Sequence, residues 1–183
     1  MSFSNNWFND SELKKNINKY LKPDQENHIL EIGVFEGAGS CFFSNNYLDA
    51  EGSTLTCVDP FDVSDTTSPV YCDIKTKFIN NIGKSKHWQK SRLCNIRSAN
   101  FFKKNIQKFN FIYIDGSHIV ENIKHDFSES IKCCKYNGII WMDDYLGGNN
   151  HDIKNCIDEM YNNYKDNLQI IHIGYQIAFR MLN

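Results

Sequence analysis

The sequence lacks the features that would place it in a membrane, outside the cell or on a nucleic acid. It has no signal peptide and no run of about 18 apolar residues, which argues against secretion or membrane insertion and predicts a cytoplasmic protein. Its formal net charge of −2 offers no basic excess for phosphate groups, which argues against a nucleic-acid partner. No internal repeat or linker divides the 183 residues, enough for one adequate core.

Cysteine is present, but without the spacing of a metal site. The cysteines form no CxxC pair and no zinc-ligand pattern. Several fall on predicted strands and on apolar helix faces, which predicts buried, reduced thiols. The seven positions are Cys41, Cys57, Cys72, Cys94, Cys133, Cys134 and Cys156.

A glycine-rich stretch, residues 29–40 (ILEIGVFEGAGS), stands out near the start of the chain. It begins as an apolar run typical of a buried parallel strand and leads into helical periodicity at residues 41–48. Its glycines are Gly33, Gly37 and Gly39. A glycine-rich strand-to-helix turn can bring bare backbone N–H groups close to a ligand, although a tight turn without a ligand is the alternative. Asp59 ends the next predicted strand, where a carboxylate suits a ribose diol.

Strand and helix patterns alternate along the chain, which indicates an α/β fold. The fourth predicted strand, residues 109–114, is followed by a strongly amphipathic helix, which is predicted to stop at Asn137-Gly138. The last two strands are joined at Gly174 by so short a turn that they must be antiparallel. The predicted strands are residues 29–34, 54–58, 92–96, 109–114, 139–142, 169–173 and 175–181.

Three aspartates end two neighbouring strands of the predicted sheet. Asp115 ends the fourth strand and Asp143 and Asp144 end the fifth, at the edge where open α/β sheets bind ligands. Without a counter-charge these carboxylates would repel, and at least one would take up a proton. A hard divalent cation removes that conflict, and all-oxygen ligation favours Mg²⁺ or Ca²⁺. The alternative is that the aspartates cap helices and bind loop N–H groups.

His118 lies three residues after Asp115, at the predicted start of the next helix. Histidine titrates near neutrality, so this side chain is a candidate base for the proton of a substrate hydroxyl. A helix-start histidine bonded to the backbone is the alternative. His151, which follows the predicted glycine loop at residues 147–150, could also reach a substrate.

The glycine-rich stretch resembles the first motif of class I S-adenosylmethionine-dependent methyltransferases. That motif is an acidic residue, any residue, glycine, three residues and glycine, which Glu31, Gly33 and Gly37 match in register. The chain resembles this family over residues 29–183, most closely its catechol-type and macrocin/mycinamicin-type O-methyltransferases. The resemblance implies a Rossmann-like fold: a seven-stranded, mostly parallel sheet with an antiparallel last strand and helices on both faces.

The resemblance also implies S-adenosylmethionine as cofactor and assigns residues to its parts. Glu31 would hold its amino-acid end, Asp59 its ribose, and Ser98 would lie beside its adenine. Ser40, one place later than the family's serine, would contact the methionine carboxylate. The cofactor-binding residues implied in this way are Glu31, Gly33, Gly37, Ser40, Asp59, Ser98 and Asp115.

Catechol-type relatives place Mg²⁺ at these same strand ends, which makes the three aspartates the implied metal ligands. At the third ligand position this sequence has an aspartate, Asp144, as the macrocin-like branch does. His118 lies three residues after Asp115, where the catechol-type enzymes have a lysine that acts as the base. The implied reaction is methylation of a hydroxyl on a small molecule, in the macrocin-like branch a sugar, and many relatives form homo-oligomers. The metal ligands implied in this way are Asp115, Asp143 and Asp144.

Residues 1–28 are predicted to form a helical arm, and residues 29–183 the methyltransferase domain. Asp10 or Ser11 could cap a helix that ends before Pro23 and packs against the main domain. Because such arms often cover the substrate pocket in small-molecule methyltransferases, Trp7 and Phe8 are candidates to line it.

Two other functions remain open at this stage. An NAD-dependent oxidoreductase could use a similar sheet, but Phe35 stands where the G-x-G-x-x-G pattern needs its second glycine. A non-catalytic, methyltransferase-like binding module is conceivable because Ser40 is displaced from the family position, although the acidic cluster argues against it.

Overall fold

Seven short, largely apolar segments form strands that alternate with helices. The computed structural model describes residues 1–62, 73–147 and 152–183. The predicted polar loop at 63–72 with Cys72, most of the glycine loop and His151 lie outside the described residues. The strands are β1 His28–Ile32, β2 Thr54–Val58, β3 Ser91–Cys94, β4 Phe109–Ile114, β5 Cys134–Met142, β6 Leu168–Ile173 and β7 Ile177–Met181. The helices are α1 Trp7–Asp10, α2 Glu12–Asn16, α3 Ala38–Asn46, α4 Ile74–Ile82, α5 Ser98–Phe102, α6 Val120–Cys133 and α7 Asp152–Tyr164.

The strands form one sheet in the order β3-β2-β1-β4-β5-β7-β6. The five strands from β3 to β5 are parallel, and β7 pairs antiparallel with both β5 and β6. The predicted seven-stranded, mostly parallel sheet with an antiparallel last strand is therefore confirmed. The chain reverses its direction of travel across the sheet between β1 and β4, which opens a crevice at their carboxyl ends.

Alternate residues of the central strands pack on opposite faces of the sheet, as the strand period of two requires. On β5, Ile140 and Met142 belong to one buried cluster with α6 and α7, while Ile139 and Trp141 belong to the other. That second cluster contains Phe43 of α3 and residues of the N-terminal arm. Helices thus cover both faces of the sheet. Among the described residues, six cysteines are buried and free, as predicted.

The N-terminal arm packs on the sheet, but its helix is broken in two. Ser11 caps α2, its hydroxyl accepting from the Lys14 N–H at 3.2 Å, and a 3-10 turn at Ile17–Lys19 follows. Leu13 and Ile17 are completely buried against the sheet. The predicted packing role of the arm is therefore confirmed, and the domain boundary at residue 28 stays a prediction.

The end of α6 differs from the prediction. Cys133 ends α6 and β5 begins at once, so Asn137-Gly138 lies within the strand. There the register slips between the pairs Phe109–Cys134 and Phe111–Ile139, which leaves a bulge. Asn137 has a φ of 59°, a conformation that asparagine tolerates. Turn-forming residues therefore mark this bulge and not the helix end.

None of the helices in the described ranges combines the length and apolar character needed to cross a bilayer.

Candidate active site

Gly33 allows the end of β1 to touch the end of β4. Its φ is +81°, and a Cβ on it would lie 2.0 Å from the carbonyl oxygen of Asp115. The Gly33 N–H donates to the carbonyl of Val58 at 2.9 Å, and the Asp115 N–H donates to that of Ile32 at 2.8 Å. The ends of β1, β2 and β4 therefore meet at this glycine, on the ligand-binding edge of the sheet.

Asp59, at the end of β2, braces the glycine-rich loop. Its Oδ2 accepts hydrogen bonds from the N–H groups of Val34 and Phe35 at 2.9 and 3.1 Å. Its Oδ1 accepts one from the N–H of Phe61 at 2.7 Å. Each carboxylate oxygen can accept about two hydrogen bonds, so Oδ1 retains the capacity for one more. The predicted ribose contact of Asp59 stays a prediction, and it falls on this oxygen.

Glu31 is buried below the first turn of α3, with 2% of the residue exposed. A Cβ on Gly39 would lie 2.3 Å from its Oε1, so only glycine fits above this carboxyl group. The fully buried Ser40 hydroxyl donates to Oε2. Burial raises the pKa of Glu31 to about 8; the Ser40 hydrogen bond opposes the rise, and the negative charge of Asp59 adds to it. Glu31 therefore carries a proton at neutral pH in the cofactor-free chain.

Replacing Glu31 by glutamine should remove a pH-dependent loss of stability. The ordinary glutamate pKa is 4.5 and the folded value is about 8, so between these values only the folded state keeps the proton. Wild-type stability therefore falls as the pH rises through this window. We expect the variant to match wild type near about pH 5 and to exceed it near about pH 8 by on the order of a few kcal/mol. Urea unfolding without cofactor measures this, and an equal difference at both pH values would contradict it.

Tyr113 links the two strand ends that carry the aspartates. Its hydroxyl donates to Asp143 Oδ2 at 2.6 Å and also lies 3.0 Å from Asp115 Oδ2. One phenolic proton cannot serve both carboxylates. Asp115 is exposed when the whole residue is counted, but its carboxyl group is closely surrounded by protein atoms. This burial and the negative charge of Asp143 raise the pKa of Asp115 well above its usual range. A protonated Asp115 therefore supplies the second hydrogen-bond donor that this group of three side chains needs.

His118 and Asp144 form an ion pair beside these carboxylates. His118 Nε2 lies 2.7 Å from Asp144 Oδ2, and the Tyr175 hydroxyl donates to Oδ1 of the same carboxylate. The hydrogen bond to Asp144 raises the pKa of His118, and the same bond lowers the pKa of Asp144. Asp144 adopts a φ of 54°, and the Gly147 N–H donates to its carbonyl at 2.8 Å. When the imidazole is neutral, Nε2–H points at Asp144 and Nδ1 is the nitrogen that can accept a proton.

The predicted metal site is not supported by this arrangement. In the parts of the chain that the structure describes, no three His, Cys, Asp or Glu side chains are placed to hold a metal ion. Both oxygens of Asp144 already accept hydrogen bonds, and those of Asp143 accept from Tyr113 and from the Asp144 N–H at 2.8 Å. As the side chains are placed, a proton on Asp115 and the ion pair with His118 relieve the repulsion among these carboxylates. As placed, the three aspartates therefore do not form a site for Mg²⁺ or Ca²⁺.

Ser98 begins α5, as the predicted polar turn requires, but its hydroxyl has a protein partner. It hydrogen-bonds the carboxyl group of Asp126 on α6. Asp126 is 3% exposed, and burial raises its pKa while the bond from Ser98 opposes the rise. The predicted contact of Ser98 with adenine stays a prediction, and any such contact would share the hydroxyl with Asp126.

The N-terminal arm lies against the glycine-rich loop. Trp7 stacks on Phe35 with ring centroids 5.9 Å apart, and the ring of Phe8 lies 6.3 Å from that of Tyr113. The Ser4 N–H and hydroxyl both donate to the carboxylate of Glu36, at 2.6 and 2.7 Å. The arm therefore holds the loop from outside, and Trp7 and Phe8 lie at the loop as candidates to line a substrate pocket.

Sequence reasoning missed Tyr113 and Tyr175. Tyr113 looks like an ordinary buried strand residue, yet the strand period of two could have placed it beside Asp115. Tyr175 lies in the short connection between β6 and β7, and no local pattern indicates that its hydroxyl reaches Asp144. The aspartates and His118 were the sequence signals for this network.

A model of a methyltransferase domain family matches residues 30–145, more than half of the chain. The chain belongs to this methyltransferase family. The matched segment runs from β1 to Tyr145, so it contains the glycine-rich loop, Asp115, His118 and the aspartate pair. The predicted resemblance to class I S-adenosylmethionine-dependent methyltransferases is confirmed. No curated protein matches the sequence.

Solved structures with this methyltransferase's fold are similar over most of the chain. A Clostridium thermocellum protein proposed to be an rRNA methylase has a TM-score of 0.72 at 11% identity, covering 100% of this chain and 99% of the other. The O-methyltransferase TomG of Streptomyces achromogenes, from tomaymycin synthesis and in complex with SAM, has 0.64 at 12%, covering 87% and 74%. A Bacillus cereus O-methyltransferase in complex with SAH has 0.62 at 14%, covering 93% and 88%. At such identities they establish the fold.

Proposed function

We propose that this methyltransferase transfers the methyl group of S-adenosylmethionine to a hydroxyl oxygen of a small molecule, with His118 as the base. The observation that carries the proposal is the position of the His118–Asp144 ion pair. It lies at the same sheet edge as the glycine-rich turn, because Asp115 touches Gly33 through its carbonyl and precedes His118 by three residues. Two of the similar structures are O-methyltransferases in complex with SAM or SAH, which supports the cofactor and the acceptor atom.

The residues around the glycine-rich turn fit the amino-acid end of this cofactor. Glu31 is a buried acid that has no cationic partner among the described residues, so an α-ammonium group would supply the missing charge. Gly33 and Gly37 have positive φ and leave the loop backbone bare. Ser40 is completely buried, so we assign it to holding Glu31 in place of a direct contact with the carboxylate.

The remaining cofactor residues follow the strand ends. Asp59 would accept a ribose hydroxyl through Oδ1, and Ser98 would border the adenine. Asp115, neutral and beside Gly33, would donate or accept a hydrogen bond at the amino-acid end. These assignments explain why acidic side chains cluster at the carboxyl ends of β1, β2 and β4 without basic partners in the described residues.

The chemistry needs a positioned acceptor and a base. When bound, the cofactor supplies a methyl group on a positively charged sulfur with a good thioether leaving group, so the carbon needs no activation. His118 directs Nε2 toward Asp144 and takes the acceptor's hydroxyl proton on Nδ1 as the oxygen–carbon bond forms. Asp144 stabilises the resulting imidazolium, and Tyr175 fixes the Asp144 carboxylate. Holding the oxygen about 3 Å from the methyl carbon supplies much of the remaining acceleration.

Saccharide hydroxyls are the first acceptors to test. The Asp-Gly-Ser-His and Asp-Asp-Tyr segments resemble the macrolide-sugar branch, and the net charge of −2 argues against RNA. A cytoplasmic location and self-association stay proposals.

The proposal is tested first by binding and then by turnover. In a thermal-shift and calorimetry panel, we expect S-adenosylmethionine and S-adenosylhomocysteine to raise the melting temperature and NAD to leave it unchanged. Sugars, catechols and other polyols are then offered with S-adenosylmethionine, and S-adenosylhomocysteine formation is measured with and without a chelator. We expect turnover to survive chelation, because the described residues do not bring three possible ligands together around a cation.

Three results would contradict parts of this proposal. Stabilisation by NAD alone would favour the oxidoreductase. Cofactor binding without turnover on any hydroxyl acceptor would favour a binding module. Turnover that is lost on chelation and restored by Mg²⁺ would show that the aspartates rearrange around a cation and would restore the predicted metal site.

A further inference from the structure

Glu31 is a buried acid at the candidate cofactor site, and none of the ion pairs among the described residues includes it. It is 2% exposed, and the Ser40 hydroxyl donates a hydrogen bond to its Oε2. Its Oε1 lies directly below Gly39, too close for any side chain to intervene. No lysine, arginine or histidine in the described chain forms an ion pair with it. Such a carboxyl group is stable only as the neutral acid until a cation arrives.

The strands and the helix that pack around Glu31 present neutral or acidic groups, and the nearest positive charge noted there, the N-terminal amino group, acts on Cys41. α3 contributes Ser40 and the thiol of Cys41, β2 contributes the thiol of Cys57 and, at its end, Asp59, and β4 contributes Asp115 at its end. Burial raises the pKa of Cys41 to about 12, and that of Cys57 also rises, so both thiols stay protonated. Burial raises the pKa of Glu31 to about 8, and the negative charge of Asp59 adds to the rise. None of these neighbours can neutralise an ionised Glu31.

We infer that binding of the cofactor's α-ammonium group expels a proton from Glu31, so that cofactor affinity is coupled to pH. This inference rests on the proposed function. The free protein holds Glu31 as the acid; in the complex the carboxylate pairs with the ammonium group, and the proton passes to solvent. Charge balances, because one cation enters the buried site and one proton leaves it. No other covalent bond changes.

The coupling has a defined sign and range. Below the pKa of free Glu31, each complex formed releases close to one proton, so the association constant should rise by about tenfold per pH unit. Near about pH 8 free Glu31 is already half ionised and the dependence flattens. The range below about pH 7.5 is the one to measure, because a free α-amino group begins to lose its own proton near about pH 8.

Calorimetry with S-adenosylhomocysteine, which cannot turn over, tests the inference. At about pH 6.5 the binding enthalpy is measured in phosphate and in imidazole, whose ionisation enthalpies differ, and the slope gives the number of protons released. We expect close to one for wild type and close to zero for Glu31→Gln. Asp115→Asn is the matched control, because Asp115 is a second neutral acid at this site, and it should still release the proton.

Ser40→Ala provides a second, graded variant that keeps the carboxyl group. Loss of the Ser40 hydrogen bond should raise the pKa of free Glu31, because that bond favours the ionised form. Below about pH 7.5 the affinity for S-adenosylhomocysteine should then be lower than in wild type, with the same dependence on pH. Binding with no proton release in wild type would overturn the inference and leave the proposed function standing. Proton release that is lost in Asp115→Asn and kept in Glu31→Gln would overturn it too. If the wild-type protein does not bind S-adenosylhomocysteine at all, the proposed function itself is refuted.

Discussion

Alanine at position 33 should destabilise the protein by about 2–5 kcal/mol and abolish cofactor binding. A non-glycine residue in the left-handed region costs about 1–2 kcal/mol. The added Cβ would also lie 2.0 Å from the Asp115 carbonyl oxygen and 2.5 Å from the Gly116 Cα, backbone atoms that cannot rotate away, and overpacking of this kind costs about 1–3 kcal/mol more. Relief would require β1 and β4 to separate at the cofactor edge. Urea unfolding and S-adenosylhomocysteine calorimetry measure the two effects.

Gly116→Ala is the matched control, because Gly116 faces Gly33 across the same contact. A Cβ there would meet Ile32 Cγ2 at 3.5 Å, an ordinary van der Waals distance, and its φ lies outside the left-handed range. We expect a change within about 0.5 kcal/mol and unimpaired binding. A Gly33→Ala variant as stable as this control would show that the strand ends do not meet as described.

The strands were predictable from the sequence because their residues are buried on both faces. Residues 54–58 are all apolar or β-branched, residues 109–114 are apolar except for Asn110, and both strands begin and end where predicted. The prediction of a third strand at residues 92–96 was less accurate. This strand, β3, lies at the sheet edge and ends at Cys94, and Ile96 beyond it is 38% exposed. An edge strand lacks the packing on both sides that makes the pattern distinct.

Local turn chemistry was ambiguous where two structures need the same residues. Asn137-Gly138 suits a helix end and suits a bulge equally well. The structure has the bulge, and a Cβ on Gly138 would lie 2.7 Å from Cys134 Sγ. Only the pairing of β5 with β4, a contact between distant segments, decides between the two.

The sequence indicated which acids share the sheet edge, but it could not show how their charge is balanced. A cation was inferred because three carboxylates cannot stay ionised together. In the structure the aspartates accept hydrogen bonds from two tyrosine hydroxyls. Tyr113 is a buried residue of β4, and Tyr175 lies near the C-terminal end of the chain. Ser40 likewise points at Glu31, a direction that spacing along the chain does not encode. Side-chain direction and distant partners are properties of packing, so the residue list was predictable and its connections were not.

Replacing His118 by glutamine should lower kcat by about 10²- to 10⁴-fold, the usual contribution of a positioned general base. Glutamine keeps a polar side chain of similar length but cannot take a proton. The His118 side chain is 66% exposed, so the free energy of unfolding should change by no more than about 0.5 kcal/mol. Affinity for S-adenosylhomocysteine should stay within about twofold of the wild-type value, because His118 is not among the residues assigned to cofactor binding. Steady-state kinetics on the acceptor found in the screen provides the measurement.

The Asp144 and Tyr175 variants separate a base with an orienting partner from a histidine that only shapes the pocket. Asp144→Asn removes the ion pair and should lower kcat less than His118→Gln does. If Asp144 acts only through His118, the double variant should be no slower than His118→Gln alone, because two residues that act as one unit are not additive. Tyr175→Phe removes only the second hydrogen bond to Asp144, so its loss should stay below about tenfold. Multiplicative losses in the double variant, or a His118→Gln enzyme with more than about a tenth of wild-type kcat, would mean that the hydroxyl proton leaves by another route.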